Sequence, residues 1–439
     1  MNKYLTISVL TLMLTFSSMG QEREDREIIS IIKSPHSIEV LKTQAFDILG
    51  EIDGKIYIHA SSTELSFFPS QGIAYKNETD KFIKNHKQDF PIYDQGGING
   101  PYHTYREVEA ELMSLEELNP TLARLSIFGK SLENRNLYAL KISDNVQSEE
   151  SEAEVLLIGC HHAREWISVE VPLLIARYLL ENYSHDSYIQ RMVNESEIWI
   201  VPLLNPDGLE YTIHYYRYWR KNRRDNRDGT FGVDLNRNYG YQWGLDEIGS
   251  SGSTRSDVFR GMSPNSEPEI QAVIQLFLQR DFRALISYHS YSQIILYPWG
   301  YTDELTDDST LLLELSKNMS SLMESVNGRV YAYGQAGDDL YLTNGDMTDW
   351  AYGVYGIPAF TIELPPVDYL SGGFFNADAD IDPIFRENLP AALYLIEWAI
   401  NSFTTGDTRQ IPPVRHSLYR NLNKNQKIEV RSQEPGVRR

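Results

Sequence analysis

The chain has 439 residues, of which 41% are hydrophobic and 12% aromatic. This composition excludes a disordered chain, and the length predicts one large domain with an accessory unit. Asp and Glu number 61 against 40 Lys and Arg, so the formal net charge is −21. Such a charge repels phosphate groups and anionic lipids, and we therefore expect no nucleic-acid partner.

The N terminus is predicted to be a signal peptide over residues 1–20. Lys3 precedes a largely apolar run from Tyr4 to Phe16, and small and then charged residues follow it. The run is too short to span a bilayer comfortably, so we expect a secreted protein without stable membrane insertion. The single cysteine, Cys160, excludes an intramolecular disulfide, so stability outside the cell depends on the core and on bound ions.

Residues 21–88 are predicted to form a small α+β module. Short apolar runs alternate with helix-like segments, and Asp53-Gly54 forms a turn between two of the runs. The pattern predicts strands over residues 28–32, 45–50, 55–60 and 73–75, and helices over 36–44 and 62–68. Residues 89–101 contain several Gly and Pro residues and are predicted to be a linker.

Residues 102–402 are predicted to form an α/β domain with a mixed, mostly parallel central sheet flanked by helices. Fully apolar runs of strand length alternate with helical segments, which is typical of a sheet covered on both faces. The pattern predicts strands over residues 155–159, 198–204, 284–288, 294–297 and 359–364, and helices over 166–183, 269–282 and 385–400. Ligands of such domains bind beyond the carboxyl ends of the strands. Residues 403–439 form a basic tail.

Two of the predicted strands run directly into histidines. His161, His162 and Glu165 follow residues 155–159, and His289 follows residues 284–288. His162 at a spacing of three and His161 at four could each share a helical face with Glu165, so spacing alone does not choose between them. Two histidines and a glutamate around an open position suit a hydrolytic zinc site, whose bound water has a pKa near neutrality.

A third strand and two arginines add catalytic candidates. Glu363 lies in the otherwise apolar run 359–364, where an ionised carboxylate is costly to bury without a partner. We interpret Glu363 as a general base beside the cation. The planar fork of an arginine matches a carboxylate and can stabilise an oxyanion near zinc, which makes Arg220 and Arg237 candidates.

From about residue 102 to 400, the sequence resembles the zinc carboxypeptidases of the carboxypeptidase A/B type. The resemblance rests on four motifs in the family's order: His162-Ala163-Arg164-Glu165-Trp166, Asn205-Pro206-Asp207-Gly208, His289-Ser290-Tyr291-Ser292-Gln293 and Phe360-Thr361-Ile362-Glu363-Leu364. It implies one zinc ion held by His162, Glu165 and His289, which selects His162 over His161. Glu363 would be the catalytic base, and Arg220 would polarise the scissile carbonyl and stabilise the oxyanion.

The resemblance also implies how substrate is bound. Substrates would be peptides or proteins with a free C-terminal carboxylate, held by Asn236, Arg237 and Tyr341, the last on a loop that closes over substrate. The remaining substrate-binding residues implied are Arg164 and Ser290, further upstream on the peptide, and Tyr291.

Two residues match the specificity pocket of the family. Thr348 stands where the family separates apolar from basic preference, and it is neither a bulky aliphatic residue nor an acid. Asp346, two positions earlier, could attract a basic side chain. We therefore expect broad or mixed specificity for apolar and basic C-terminal residues.

The module over residues 21–88 takes the place of the family's pro-segment, which covers the cleft until it is cleaved off. A zymogen is thus implied, with Lys84 and Lys87 as candidate cut sites, although the module is shorter than digestive pro-segments. We expect a monomer. Two alternatives remain: an amidohydrolase on the same fold, which would not need the carboxylate clamp, and an inactive peptide-binding relative, which would have lost a ligand or the base. The same three ligands could also bind cobalt or manganese.

Overall fold

The computed structural model describes residues 26–79, 100–407, 411–412 and 414. The predicted signal peptide, Lys84 and Lys87, most of the predicted linker and most of the basic tail lie outside these residues. Within the described part of the chain, no helix is both long enough and apolar enough to cross a membrane.

Residues 26–79, here called the N-terminal module, contain strands and helices in the order that the sequence pattern predicts. The elements are β1 (Arg26–Ile32), α1 (Pro35–Leu41), β2 (Ile48–Ile52), β3 (Lys55–Ser61), α2 (Ser62–Ser70) and β4 (Tyr75–Asn77). The strands pair antiparallel in the order β2-β3-β1-β4. A serine precedes each helix, Ser34 before α1 and Ser61 before α2, and forms a capping box that satisfies backbone N–H groups at the helix start.

Residues 100–407, here called the main domain, alternate strands and helices. Its strands are β5 (Ala123–Lys130), β6 (Asn136–Ile142), β7 (Ala153–Gly159), β8 (Ser196–Val201), β9 (Phe282–Ser290), β10 (Ile294–Tyr297), β11 (Ala332–Gln335) and β12 (Ala359–Leu364). Its α-helices are α3 (Tyr105–Leu118), α4 (Ile167–Asn182), α5 (Ser187–Asn194), α6 (Pro206–His214), α7 (Pro268–Gln279), α8 (Ser309–Asn327), α9 (Ala336–Asp339), α10 (Met347–Tyr355) and α11 (Ile381–Thr405). Short 3-10 turns occupy Leu235–Arg237 and Asp378–Asp380.

The strands of the main domain form one mixed sheet in the order β11-β10-β12-β9-β7-β8-β6-β5. The inner strands β12, β9, β7 and β8 run parallel, whereas β10, β6 and β5 join through antiparallel pairings. Val155 and Leu157 of β7 face the core that contains α4 and α11, and Leu156 and Ile158 face the core with α7 and α10. This alternation buries both faces and confirms the predicted mixed sheet flanked by helices.

The structure also differs from the predicted element boundaries. Strands β5, β6 and β11 were not predicted. β5 and β11 lie at the two edges of the sheet, and β5 exposes part of its apolar surface, such as Ile127. β6 is buried along most of its length, but Lys141 interrupts its apolar run. Strand β8 ends at Val201, three residues before the predicted end. Helix α7 ends at Gln279, and Phe282 begins β9 instead of closing the helix.

The N-terminal module packs on the main domain at the carboxyl ends of the sheet strands. Leu49 and Tyr57 of the module join a buried cluster with Tyr291, Tyr369 and other aromatic residues of the main domain. The rings of Tyr57 and Tyr369 stack with centroids 5.5 Å apart. This part of the contact is apolar and largely aromatic, and the module closes one side of the cleft described below.

Candidate active site

Three side chains with metal-binding chemistry converge at the carboxyl ends of β7 and β9, which are neighbours in the sheet. Glu165 Oε1 lies 2.7 Å from Nδ1 of His162, and its Oε2 lies 3.0 Å from Nδ1 of His289. The two Nδ1 atoms are 3.1 Å apart, and all three residues are buried. Cys160, with φ of 58°, turns the chain from β7 towards this group.

The other ring nitrogens fix how these histidines point. His162 Nε2 lies 3.2 Å from Asp234 Oδ1, and His289 Nε2 lies 3.0 Å from the hydroxyl of Ser287. Both Nδ1 atoms are thereby left to face the same point as Glu165. A tetrahedral zinc site with bonds of about 2.0–2.1 Å places its ligand atoms about 3.3 Å apart. The observed separations are close to this value, so the donor set fits a zinc ion.

His161, the alternative that spacing left open, faces away from this point. Its Nε2 lies 2.9 Å from the hydroxyl of Tyr239, and its Nδ1 lies 3.3 Å from that of Ser287. Burial, followed by the neighbouring His289 and His162, holds the pKa of His161 well below its usual value. The structure thus groups His162, and not His161, with Glu165 and His289.

The two glutamates of the site have opposite electrostatic environments. Burial alone would raise the pKa of Glu165, but the adjacent His162 and His289 hold it below its ordinary value. Glu363, which pairs with His289 across the parallel β12–β9 register, has its pKa raised well above the usual value by burial and then by the charge of Glu165. A divalent cation between them would offset that repulsion and favour the ionised form of Glu363.

Asp234 organises the arginines that approach this group. Its Oδ2 accepts a 2.9 Å hydrogen bond from Arg220 Nε, while its Oδ1 faces His162. Oδ1 also accepts the backbone N–H of Asn236, at 2.9 Å, and so caps the 3-10 turn that carries Asn236 and Arg237. Arg237 is held by backbone carbonyls, one of them Gly249 at 2.9 Å from its Nε. One buried carboxylate therefore positions a histidine, an arginine and a turn.

A cleft of about 960 Å³ lies between the main domain and the N-terminal module. The predicted site residues that line it are His162, Arg164, Glu165, Arg220, Arg237, Ser290, Tyr291, Tyr341 and Glu363. Asn236 accepts a backbone hydrogen bond from Met347 through its side-chain oxygen, at 2.9 Å. Asp346 is buried at the start of α10, where it accepts hydrogen bonds from Thr343, Thr348 and the Asp349 backbone. Nine residues predicted from separate motifs thus line a single cleft, whereas Asn236, Asp346 and Thr348 are not among its lining residues.

The sequence pattern did not reveal every residue of the site. Asp47 of the module accepts two 2.7 Å hydrogen bonds from the guanidinium of buried Arg164, and nothing near Asp47 in the sequence suggested this pairing. Asp234 and Ser287 were also missed as partners of His162 and His289. Ser287 could have been found, since it lies two residues before His289 and therefore on the same face of β9.

A His-His-Glu group, a nearby carboxylate and arginines around one cleft are characteristic of a metal-dependent hydrolase. The model of the zinc carboxypeptidase family (Peptidase_M14) matches residues 108–391, and the chain belongs to this family. It is 38% identical over 302 residues to a zinc carboxypeptidase of Saccharothrix mutabilis subsp. capreolus, covering 67% of each chain. It is 30% identical over 379 residues to carboxypeptidase A4 of Mus musculus, covering 83% of this chain and 88% of that one.

Solved structures show the same fold. The structure of thrombin activatable fibrinolysis inhibitor is similar with a TM-score of 0.70 and 24% identity, over 86% of this chain and 99% of that one. The bovine form of that protein, in complex with tick carboxypeptidase inhibitor, is similar with a TM-score of 0.62 and 31% identity, over 69% and 98% of the two chains. The protein is thus a zinc metallocarboxypeptidase, a hydrolase that acts on peptides.

Proposed function

We propose that the protein is a secreted, monomeric carboxypeptidase precursor in which His162, Glu165 and His289 hold the zinc ion. The observation that carries this assignment is the convergence of the two Nδ1 atoms and the Glu165 carboxylate at the cleft. Bound there, zinc supplies a Lewis acid that activates water and polarises a carbonyl oxygen. The N-terminal sequence pattern supports secretion.

Glu363 is the general base in this proposal. It lies on the strand next to His289 and lines the cleft, so it can take a proton from the attacking water and return it to the leaving amine. Arg220, held at Nε by Asp234, lines the same cleft and supplies positive charge where the oxyanion develops.

Arg237, with Asn236 and Tyr341, binds the C-terminal carboxylate of the substrate. Arg237 is buried and fixed through backbone carbonyls, and a planar guanidinium matches a carboxylate in two parallel hydrogen bonds. A substrate without that carboxylate leaves a buried charge without its counter-ion, which accounts for exopeptidase action.

The test uses one peptide in two forms, with a free and with an amidated C terminus. We expect release of the free amino acid from the first only, and loss of that release when a chelator removes the metal. Comparable cleavage of both forms would favour an amidohydrolase. Binding of the free form without any release would favour an inactive peptide-binding relative.

We further propose that the N-terminal module keeps the precursor latent. Asp47 occupies both terminal nitrogens of Arg164, and the hydroxyl of Tyr291 donates to the carbonyl of Leu49. Arg164 and Tyr291 are proposed to bind substrate, so the docked module competes with the peptide for them. Cleavage near Lys84 or Lys87 would remove the competitor.

The proposed specificity covers apolar and basic C-terminal residues. Asp346 supplies a buried carboxylate, and the pKa of its neighbour Asp349 is raised well above the usual value by burial and then by Asp346. One negative charge in this region would attract Lys or Arg, while the small Thr348 leaves space for apolar side chains. Initial rates on peptides that end in Phe, Leu, Lys and Arg test this proposal. A strict preference for acidic ends would contradict it.

A further inference from the structure

Behind the proposed zinc ligands lies a chain of buried polar groups to which the catalytic scheme assigns no role. It runs from His289 Nε2 to the Ser287 hydroxyl at 3.0 Å, and from that hydroxyl to His161 Nδ1 at 3.3 Å. It continues from His161 Nε2 to the Tyr239 hydroxyl at 2.9 Å. All four side chains have at most 1% of their surface exposed, so water does not compete for these hydrogen bonds.

We propose that Ser287, His161 and Tyr239 are positioning residues that set the tautomer and the orientation of His289. This inference rests on the proposed role of His289 as a ligand through Nδ1. A ligand nitrogen needs its lone pair, so the ring proton of neutral His289 is on Nε2 and donates to Ser287. The Ser287 hydroxyl then donates to His161 Nδ1, and His161 donates from Nε2 to the oxygen of Tyr239.

Nδ1 ligation requires the first of these hydrogen bonds, because a proton donated by Ser287 to Nε2 of neutral His289 would leave the ring's own proton on Nδ1, and a Ser287 hydroxyl that accepts from His289 keeps its proton available for Nδ1 of His161. The ring of His161 also stacks on that of His289, with centroids 5.3 Å apart and planes 20° apart. Tyr239 is in turn packed against Trp350. The chain therefore fixes both the protonation pattern and the plane of the His289 ring.

The two proposed histidine ligands consequently differ in the group that faces Nε2, the ring nitrogen that does not face the metal. His162 faces the carboxylate of Asp234, whereas His289 faces a neutral chain of hydrogen bonds. A second carboxylate there would add negative charge to a site that already contains Glu165, Asp234 and Glu363. The neutral chain orients the ligand without reducing the positive charge available to a substrate carbonyl.

The test measures metal binding by the full chain and does not depend on turnover. Metal-free protein is titrated with Zn²⁺ against a chromophoric chelator, and the visible spectrum of the Co²⁺-loaded protein reports ligand geometry. We expect Ser287→Ala to weaken zinc binding by about 10- to 100-fold and to alter the Co²⁺ spectrum. The matched control is Ser196→Ala, which removes a buried serine hydroxyl of β8 that donates to the backbone carbonyl of Met192 in α5, and it should change neither.

Variants of His161 test whether the orientation of His289 depends on the whole hydrogen-bonded chain or only on its contact with Ser287. His161→Leu removes the acceptor of Ser287 and should weaken zinc binding, whereas His161→Asn keeps an acceptor near the Nδ1 position and should restore part of the affinity. Adding His161→Leu to Ser287→Ala should cause no further loss. If Ser287→Ala does not fold, the two His161 variants and their spectra still decide the question.

Three results would overturn the inference while leaving the proposed ligands in place. These are parent-like zinc affinity and spectrum in Ser287→Ala, equal affinity of the Leu and Asn variants of His161, and additive losses in the double variant. Absence of stoichiometric zinc in the parent protein, by contrast, would refute the proposed ligand set itself.

Discussion

The ion pair between Asp47 and Arg164 joins the N-terminal module to the floor of the cleft, and Asp47→Asn tests what it contributes. Both carboxylate oxygens accept 2.7 Å hydrogen bonds, and Arg164 is 1% exposed. An asparagine keeps the size of the side chain, but it offers one acceptor and turns an amide donor towards the guanidinium. The docked state then contains a buried arginine charge without a full counter-ion.

Removing one partner of a buried pair costs about 3–5 kcal/mol. We use the lower end because the aromatic contacts of Tyr57 and Leu49 remain. Since about 1.4 kcal/mol corresponds to a factor of ten, the ratio of docked to undocked module should fall about 100-fold. The uncut variant should therefore hydrolyse peptides up to about 100-fold faster than the uncut parent, limited by the rate of the cut enzyme.

The assay compares initial rates before and after limited trypsin treatment, with intact mass confirming that the precursor is uncut. Asp53→Asn is the matched control, because Asp53 is an exposed residue of the same module and asparagine tolerates its φ of 51°. After cleavage, all three proteins should have the same rate. If uncut Asp47→Asn is as slow as the parent and the control, the ion pair does not maintain latency.

Three further predictions concern the base, the clamp and pH. Glu363→Gln should bind zinc normally yet lose about 10²- to 10⁴-fold in kcat, measured on the cut enzyme, and near-normal turnover would contradict its role. Arg237→Ala should lower kcat/KM for a free peptide without affecting binding of the amidated form, which a parallel titration checks. Burial alone would lower the pKa of His59, but Tyr216, Asp257 and Asp47 have the larger, opposite effect and hold this pKa well above its usual value of 6.5. The pKa of His59 is therefore higher in the docked state than in the undocked state. Protonated His59 stabilises docking fully below about pH 6.5, and this contribution is lost as the pH rises through the docked-state pKa. Latency of the uncut chain should weaken towards alkaline pH, and His59→Gln should remove that dependence.

Sequence patterns predicted most of the strands that are buried on both sides, although buried β6 was missed. The apolar runs that form β10 and β12 have the predicted bounds, because continuous burial requires a continuous apolar sequence. Strand β5 was missed because an edge strand is only half covered and shows no such run. Boundaries at Val201 and Gln279 depend on backbone pairing and turn geometry, which apolar patterning does not report.

The same distinction applies to the site residues: those near apolar strands were predicted, whereas those that depend on tertiary contacts were missed. His162, Glu165, His289 and Glu363 were predicted as site residues because each lies near the carboxyl end of an apolar strand, where polar side chains stand out. Between His161 and His162, however, spacing could not choose, since the outcome depends on how Cys160 turns the chain out of β7. The partners Asp47 and Asp234 come from distant segments whose sequence carries no trace of the contact. Pairings of this kind are a property of the tertiary fold.

Asp234 contacts both a proposed metal ligand and residues proposed to bind substrate. Its carboxylate faces His162, accepts from Arg220, and caps the turn that carries Asn236 and Arg237. An asparagine cannot accept all three hydrogen bonds, because one end of its amide is a donor.

We therefore expect Asp234→Asn to weaken zinc binding by about 10- to 100-fold. At saturating zinc, kcat/KM should remain low, since Arg220 and the turn are still displaced. Asp225→Asn, an exposed change nearby in the sequence, is the control and should behave as the parent. If excess zinc restored Asp234→Asn to the kcat/KM of the parent, the role of Asp234 would be confined to His162, and the arginines would be positioned without it.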